Sequence, residues 1–234
     1  MLLPIYDSDN FHIEIGIDEA GRGPLFGRLY VAAVILPKIE IDQQNIATKK
    51  IINWNSIKDS KKIKSKEKMK LCAEFIQKNV LAYSVKYIEH DRIDEINIRQ
   101  CVFEGMHECI RDIISQLKDS PKNMFLLIDG NDFKPFRTYI QETSEIFTLP
   151  YKTIEGGDNK YLAIAAASIL AKYSRDTYIE ELCQQNKYLD ENYGINNNMG
   201  YGTKQHLEGI VKYGITQWHR KTYGICKKSE LCQI

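Results

Sequence analysis

An α/β fold, a sheet flanked by helices with a helical appendage at the C-terminal end, is predicted by three features of the 234-residue chain. Ile13, Ile15 and Ile17 alternate with Glu14 and Gly16, the period of a strand with one buried face. Met124 to Ile128 is an unbroken apolar run, short enough only for a buried interior strand. Between and after these, apolar residues recur at intervals of three and four, the spacing of helices that cover a sheet.

The first strand ends at Asp18 and Glu19 and runs into a glycine-rich loop, Gly21-Arg22-Gly23-Pro24, after which Leu29 to Leu36 reads as a second strand. Pro37 to Lys64 is polar with low periodicity and suggests loops or short irregular pieces. It contains Asp59-Ser60-Lys61 and opens a lysine-rich stretch that continues to Lys70. Ser65 is a suitable N-cap with Glu67 in the first turn, and Leu71, Cys72, Phe75, Ile76 and Val80 form a helical stripe. Leu81, Tyr83, Val85 and Tyr87 alternate as a third strand. A long helix follows from Asp91, with a break near Asn97, and Ser120, Pro121 and Asn123 close it. Asp129-Gly130 terminates the apolar strand. A short strand, Tyr151 to Glu155, precedes Gly156-Gly157-Asp158 and a helix with Leu162, Ala163, Ala166, Ala167, Leu170, Tyr173 and Ile179 on its buried side. Asp158 is an N-cap candidate for it. The asparagine-rich interval 186–198 reads as a loop, followed by Gly200-Tyr201-Gly202-Thr203, a helix from Gln205 to Tyr213 and the basic triplet His219-Arg220-Lys221.

Bulk composition narrows the partners. With 43% hydrophobic residues the chain can bury a full core, and a formal charge of +1 means that any nucleic-acid footprint is local. The six cysteines, at 72, 101, 109, 183, 226 and 232, include no C-x-x-C pair and read as reduced and structural. Neither a targeting segment nor a stretch of 18 apolar residues is present, so a cytoplasmic, untargeted protein without a membrane partner is expected.

Asp18 and Glu19 beside a loop whose glycines admit close approach of an anion, with the planar fork of Arg22 between them, suggest a metal-dependent phosphoryl site. In isolation an Asp-Glu pair is more often solvated decoration, and in a straight strand the two side chains leave opposite faces. A dinucleotide-binding loop has to open a helix, whereas a strand leaves this one. Asp129, at the carboxyl end of a buried strand, belongs with Asp18. Asp158 at a helix start can also reach a cation. Four carboxylates gathered without cations raise one another's pKa values, and oxygen-only donors favour Mg²⁺ or Mn²⁺ over zinc.

The run Gly16-Ile17-Asp18-Glu19-Ala20-Gly21-Arg22-Gly23-Pro24 resembles the signature of ribonuclease HII. The resemblance extends from about Ile13 to Tyr223 through Asp59-Ser60-Lys61, Asp129-Gly130-Asn131, Gly157-Asp158, the Ala165 to Ile169 run and Gly200 to Thr203. It implies a ribonuclease H-like mixed sheet, with residues 1–185 as catalytic core and 186–234 as a helical extension of the same domain. It also implies cleavage on the 5′ side of a ribonucleotide in an RNA/DNA hybrid or in a DNA duplex containing ribonucleotides, leaving 3′-hydroxyl and 5′-phosphate ends. Carried over by residue, Asp18, Glu19, Asp129 and Asp158 are the catalytic, metal-holding acids. Gly21, Arg22 and Gly23 read the 2′-hydroxyl through backbone groups, Tyr201 packs on the sugar, and Lys61 and Lys172 complete the substrate contacts. A monomer is expected. Arg28, Gly156 and Asn198-Met199 depart from the family pattern, Gly156 replacing a lysine for which Lys152 or Lys160 are the candidate substitutes. The alternatives are a ribonuclease HIII-like hybrid nuclease, which normally has an extra N-terminal domain and a different loop, and a hybrid-binding module that has lost catalysis.

Overall fold

The computed structural model describes residues 2–6, 13–37, 53–58, 60–117 and 119–232. In chain order these form β1 (Ile13–Ala20), β2 (Leu29–Ile35), α1 (Lys66–Asn79), β3 (Ala82–Ile88), α2 (His90–Ile96), α3 (Ile98–Gln116), β4 (Met124–Asp129), β5 (Arg137–Ile140), β6 (Glu145–Thr148), β7 (Tyr151–Ile154), α4 (Leu162–Gln185), α5 (Tyr188–Tyr193), α6 (Ile195–Asn198) and α7 (Lys204–Tyr213). Five strands make one mixed sheet in the order β3-β2-β1-β4-β7, and β5 and β6 form a separate hairpin. β1 is antiparallel to β2 and parallel to β4, and β4 is parallel to β7.

Each face of the sheet is covered. On one side Ile15, Ile17, Val31 and Ile128 pack against Cys101, Val102, Met106, Cys109, Ile110 and Ile113 of α3. On the other, Tyr30, Ala32 and Val34 pack against Met69, Cys72, Ala73 and Ile76 of α1 and the alanine-rich start of α4. The approach of α4 is very close: a Cβ at Gly16 would stand 2.3 Å from the backbone carbon of Ala163, so only glycine fits that point of β1. A third cluster joins Phe26 to Ile179, Leu189, Tyr193, Ile195 and Ile210, seating the C-terminal helices against α4 and the loop after β1.

Several expectations are corrected. The interval 186–198 is not a loop: α5 and α6 occupy it because Leu189, Tyr193 and Ile195 are buried among the polar residues. Leu71 and Tyr87 face outward, while Met69 and Ala73 on α1 and Ala82 and Ile88 on β3 take the interior positions. The α2/α3 break does fall at Asn97, whose φ of 69° and side-chain bonds to the amides of Arg99 and Gln100 end one helix and cap the next. Between Pro37 and Lys64 the described residues form two 3₁₀ turns, Trp54–Ser56 and Ser60–Lys62, and Asp59 of the Asp-Ser-Lys motif lies outside the described residues. Among the described residues no helix is long and apolar enough to cross a membrane.

Candidate active site

The parallel pairing of β1 with β4 sets Ile17 opposite Ile128, which leaves Asp18 and Asp129 next to each other at adjoining strand ends. β1 runs straight through Asp18 and Glu19, which pair with Ala32 and Val31 of β2. Asp18 therefore enters the α4 side, Glu19 leaves from the other face, and the two meet electrostatically over the strand end. The glycine loop begins only after Ala20, beyond both acids. Asp129 is held by the amide of Gly157, which donates to its Oδ1 at 2.6 Å.

Asp158 is not the N-cap of α4. Tyr161 occupies that place, and Asp158 sits in a 3₁₀ turn, Gly157–Asn159, between β7 and the helix. Its side chain is buried: Oδ1 accepts from Asn159 Nδ2 at 3.0 Å, while Oδ2 makes no hydrogen bond and has Lys61 Nζ at 3.8 Å. Asn159 in turn accepts from Lys62 Nζ.

Burial, then the charges of Glu19 and Asp129, pushes Asp18 well above the usual carboxylate range, against hydrogen bonds from Ser168 and the Glu19 amide. Burial raises Glu19 in spite of Arg22, whose Nη1 lies 3.3 Å from Glu19 Oε1. Asp129 is raised by burial and next by Asp158, with the Gly157 amide opposing. The four acids thus form one repelling set, the electrostatic condition that a divalent cation relieves. An all-oxygen donor set and the orphaned buried Oδ2 of Asp158 fit such a cation. Among the described residues no group of three or more His, Cys, Asp or Glu side chains is arranged to hold a metal ion by itself.

The loop and the tyrosine are neighbours. Gly21 has φ 99°, and a Cβ there would meet Arg28 O at 2.9 Å, while a Cβ at Gly23 would lie 3.5 Å from Tyr201 Cε1. Tyr201 is 48% exposed, and its ring stands 5.4 Å from the Arg175 guanidinium. Lys61 is close to Asp158, whereas Lys172 is ion-paired on its own helix with Asp176 at 2.6 Å. Lys160, offered above as a substitute for the lysine replaced by Gly156, donates to Glu155 O instead, and Lys61 is the lysine beside Asp158. Arg28 is stacked between Tyr87 and Tyr178 and bonded to Glu89.

Some supporting groups were missed. Ser168, which bonds Asp18, meets Ser60 at 2.9 Å, and both hydroxyls are buried; their places in the Ala-Ala-Ser and Asp-Ser-Lys motifs were the available signal. His219 and Arg220 of the basic triplet are fully buried.

The family model for Ribonuclease HII matches residues 15–226. Ribonuclease HII of Phocaeicola vulgatus is 40% identical over 225 residues, covering 96% of this chain and 94% of that protein. Among solved structures, the ribonuclease H2 of Pyrococcus horikoshii OT3 has a TM-score of 0.63 at 24% identity, over 93% of this chain and 96% of that one. Ribonuclease HII of Archaeoglobus fulgidus, solved in complex with PCNA, has a TM-score of 0.62 at 25% identity, over 91% and 96%. With the mixed sheet and covering helices described above, these matches show that the chain belongs to the ribonuclease HII family of endoribonucleases, which hydrolyse the RNA strand of RNA/DNA hybrids.

Proposed function

We propose that the chain is a Mg²⁺- or Mn²⁺-dependent endoribonuclease that cuts on the 5′ side of a ribonucleotide, in hybrids and at single ribonucleotides embedded in duplex DNA, leaving 3′-hydroxyl and 5′-phosphate ends. The observation that carries this reading is the mutually repelling set Asp18, Glu19, Asp129 and Asp158 beside the Gly21 to Gly23 loop. When bound, divalent cations supply Lewis acidity and the positive charge that offsets the scissile phosphate. The four carboxylates would hold them, and Asp158 Oδ2, buried without a hydrogen bond, is the donor atom with most to gain.

The remaining residues bind and orient the substrate. Backbone amides of the loop recognise the 2′-hydroxyl, the group that distinguishes RNA from DNA, while the exposed Tyr201 ring packs on the sugar. Arg22 and Lys61 stand at the rim, 57% and 82% exposed, where they can take phosphate oxygens, and Lys172, one helical turn from Ser168, would exchange its ion pair with Asp176 for the substrate backbone. Ser168 and the Gly157 amide keep Asp18 and Asp129 in place. Nothing in this scheme needs a nucleophile from the protein, a second copy of the chain or a membrane. The reading gives the protein a cytoplasmic role in removing ribonucleotides from DNA.

A DNA duplex with one ribonucleotide, incubated with Mg²⁺ and separately with Mn²⁺, tests the reading. Cleavage 5′ to the ribonucleotide is expected. Activity confined to runs of ribonucleotides would favour the ribonuclease HIII-like alternative, and binding without cutting under either metal would favour the inactive module.

A further inference from the structure

Arg220 is fully buried, yet its guanidinium donates four hydrogen bonds to one stretch of backbone almost two hundred residues earlier. Nε donates to Gly27 O at 3.0 Å, Nη1 to Arg22 O at 3.1 Å and Pro24 O at 3.0 Å, and Nη2 to Gly21 O at 2.7 Å. Its own amide donates to Leu25 O at 2.8 Å. Tyr223, whose ring lies 5.2 Å from the guanidinium, adds a bond from its hydroxyl to Arg22 O at 3.2 Å. Asp94, the carboxylate nearest in its effect, is taken up by the amides of Lys221 and Thr222 and the Thr222 hydroxyl. A buried guanidinium is costly to desolvate, and here the carbonyls of a single loop, with Tyr223 and more weakly Asp94, compensate it.

The direction of those carbonyls fixes the direction of the amides. In a trans peptide the C=O of one residue and the N–H of the next point opposite ways. With Gly21 O and Arg22 O turned onto Arg220, the N–H groups of Arg22 and Gly23 are turned away from it, out of the protein interior. We infer that Arg220 is a positioning residue for ribose recognition: it draws the loop carbonyls inward and thereby presents the Arg22 and Gly23 amides to the 2′-hydroxyl. Only arginine has the planar fork to satisfy four carbonyls in this arrangement; lysine, with a single ammonium on a flexible stem, cannot hold them together. The inference rests on the proposed function in one respect, that this loop is the part that reads ribose.

The test is a ratio of affinities, measured by fluorescence anisotropy in EDTA so that no cleavage intervenes. The dissociation constants of a duplex with one ribonucleotide and of the same duplex made wholly of DNA are compared for the wild type, Arg220→Lys and Tyr223→Phe, with thermal melts of each protein. The wild type is expected to prefer the ribonucleotide. Arg220→Lys should reduce that preference about fivefold, the worth of one hydrogen bond, with little change in affinity for the all-DNA duplex. Tyr223→Phe, which removes one donor to Arg22 O and the hydroxyl beside the guanidinium but leaves the buried charge in place, should reduce it about twofold. Wild-type protein with no preference would defeat the reading of the loop itself. A wild-type preference that both folded variants retain, or variants that weaken both duplexes equally, would overturn the role of Arg220 alone. Should Arg220→Lys fail to fold, the Tyr223→Phe ratio decides.

Discussion

Acid should loosen this protein through His219. The Thr216 amide donates to His219 Nδ1 at 2.9 Å, so that nitrogen is the acceptor and the proton of the neutral ring lies on Nε2. From there it is donated to His206 Nε2, 2.9 Å away, and His206 Nδ1–H is left to donate to Tyr201 O, also at 2.9 Å. The two rings form one relay in a single direction, closed at one end by a backbone amide and at the other by the carbonyl of Tyr201. A second proton on His219 would set a donor against the Thr216 amide. Burial, followed by the charge of His206, pushes His219 down from the ordinary 6.5 to about 3, against a smaller opposing effect of the Thr216 backbone. The unfolded chain therefore takes up a proton as pH falls through 6.5 and the folded chain does not until about pH 3, so stability is present above 6.5 and lost progressively between those values. At pH 5, about 1.5 pH units below the unfolded value, the loss is about 2 kcal/mol at 1.36 kcal/mol per unit. Asp18, Glu19 and Asp129 act in the opposite sense, since raised carboxylates are relieved by protonation. The measurement is therefore a difference: urea denaturation at pH 7.5, 6.5 and 5 for wild type and His219→Gln, which keeps a donor toward His206 but does not titrate. The gap between the two should close by about 2 kcal/mol from pH 7.5 to 5. A gap that stays constant across that range would refute the neutral relay.

Asp129→Asn should lower turnover by a hundredfold or more, on the order of what removal of a charged active-site group costs, without lowering the thermal midpoint in EDTA. The Asn oxygen can still accept from Gly157 N and the charge opposed to Asp158 is gone; near-normal cleavage would remove the residue from the site. In the wild type, Mn²⁺ at about one hundred times its dissociation constant should add about 2.7 kcal/mol of stability, and Asp129→Asn should show a smaller gain in the same thermal-shift titration. Gly16→Ala should destabilise by about 1–3 kcal/mol in urea, because the new methyl group meets the Ala163 backbone.

What could be read from the chain alone was whatever local periodicity and short-range motifs determine. The alternation of Ile13, Ile15 and Ile17, the apolar run to Ile128 and the Asn97 break all describe neighbours in sequence, and β1, β4 and the α2/α3 junction follow them. Asp18, Glu19, Asp129 and Asp158 each end or begin an element, but it is the resemblance to ribonuclease HII that gathers the four into one set; the parallel β1/β4 register accounts for two of them meeting. The errors arose where burial is decided at long range. Polar composition makes 186–198 look like a loop, although three of its apolar residues, Leu189, Tyr193 and Ile195, are buried with Phe26 and the segment forms two short helices. The basic His219-Arg220-Lys221 triplet carries no local signal of burial, because the carbonyls that take up Arg220 are supplied from residues 21–27. Asp158 resembled an N-cap because capping and cation binding draw on the same side-chain oxygens.

The close contact at Gly16 connects fold to chemistry. α4 carries Ser168 to Asp18, and the turn ahead of the helix carries Asp158 to Asp129, so the distance between helix and sheet sets the distances among the acids. Gly16 and the small side chains from Ala165 to Ala167 let the helix lie almost on β1. Larger residues there would bury more apolar surface, yet they would hold the Asp158 turn away from the strand ends. Packing in this region is thus constrained by the site as well as by stability. Gly16→Ala should for that reason reduce cleavage even at temperatures where the variant is fully folded, whereas Gly130→Ala, at a position with no atom within 4 Å of a Cβ but φ of 101°, should act through backbone strain alone. Equal activity per folded molecule in Gly16→Ala and the wild type would separate the packing of α4 from the chemistry.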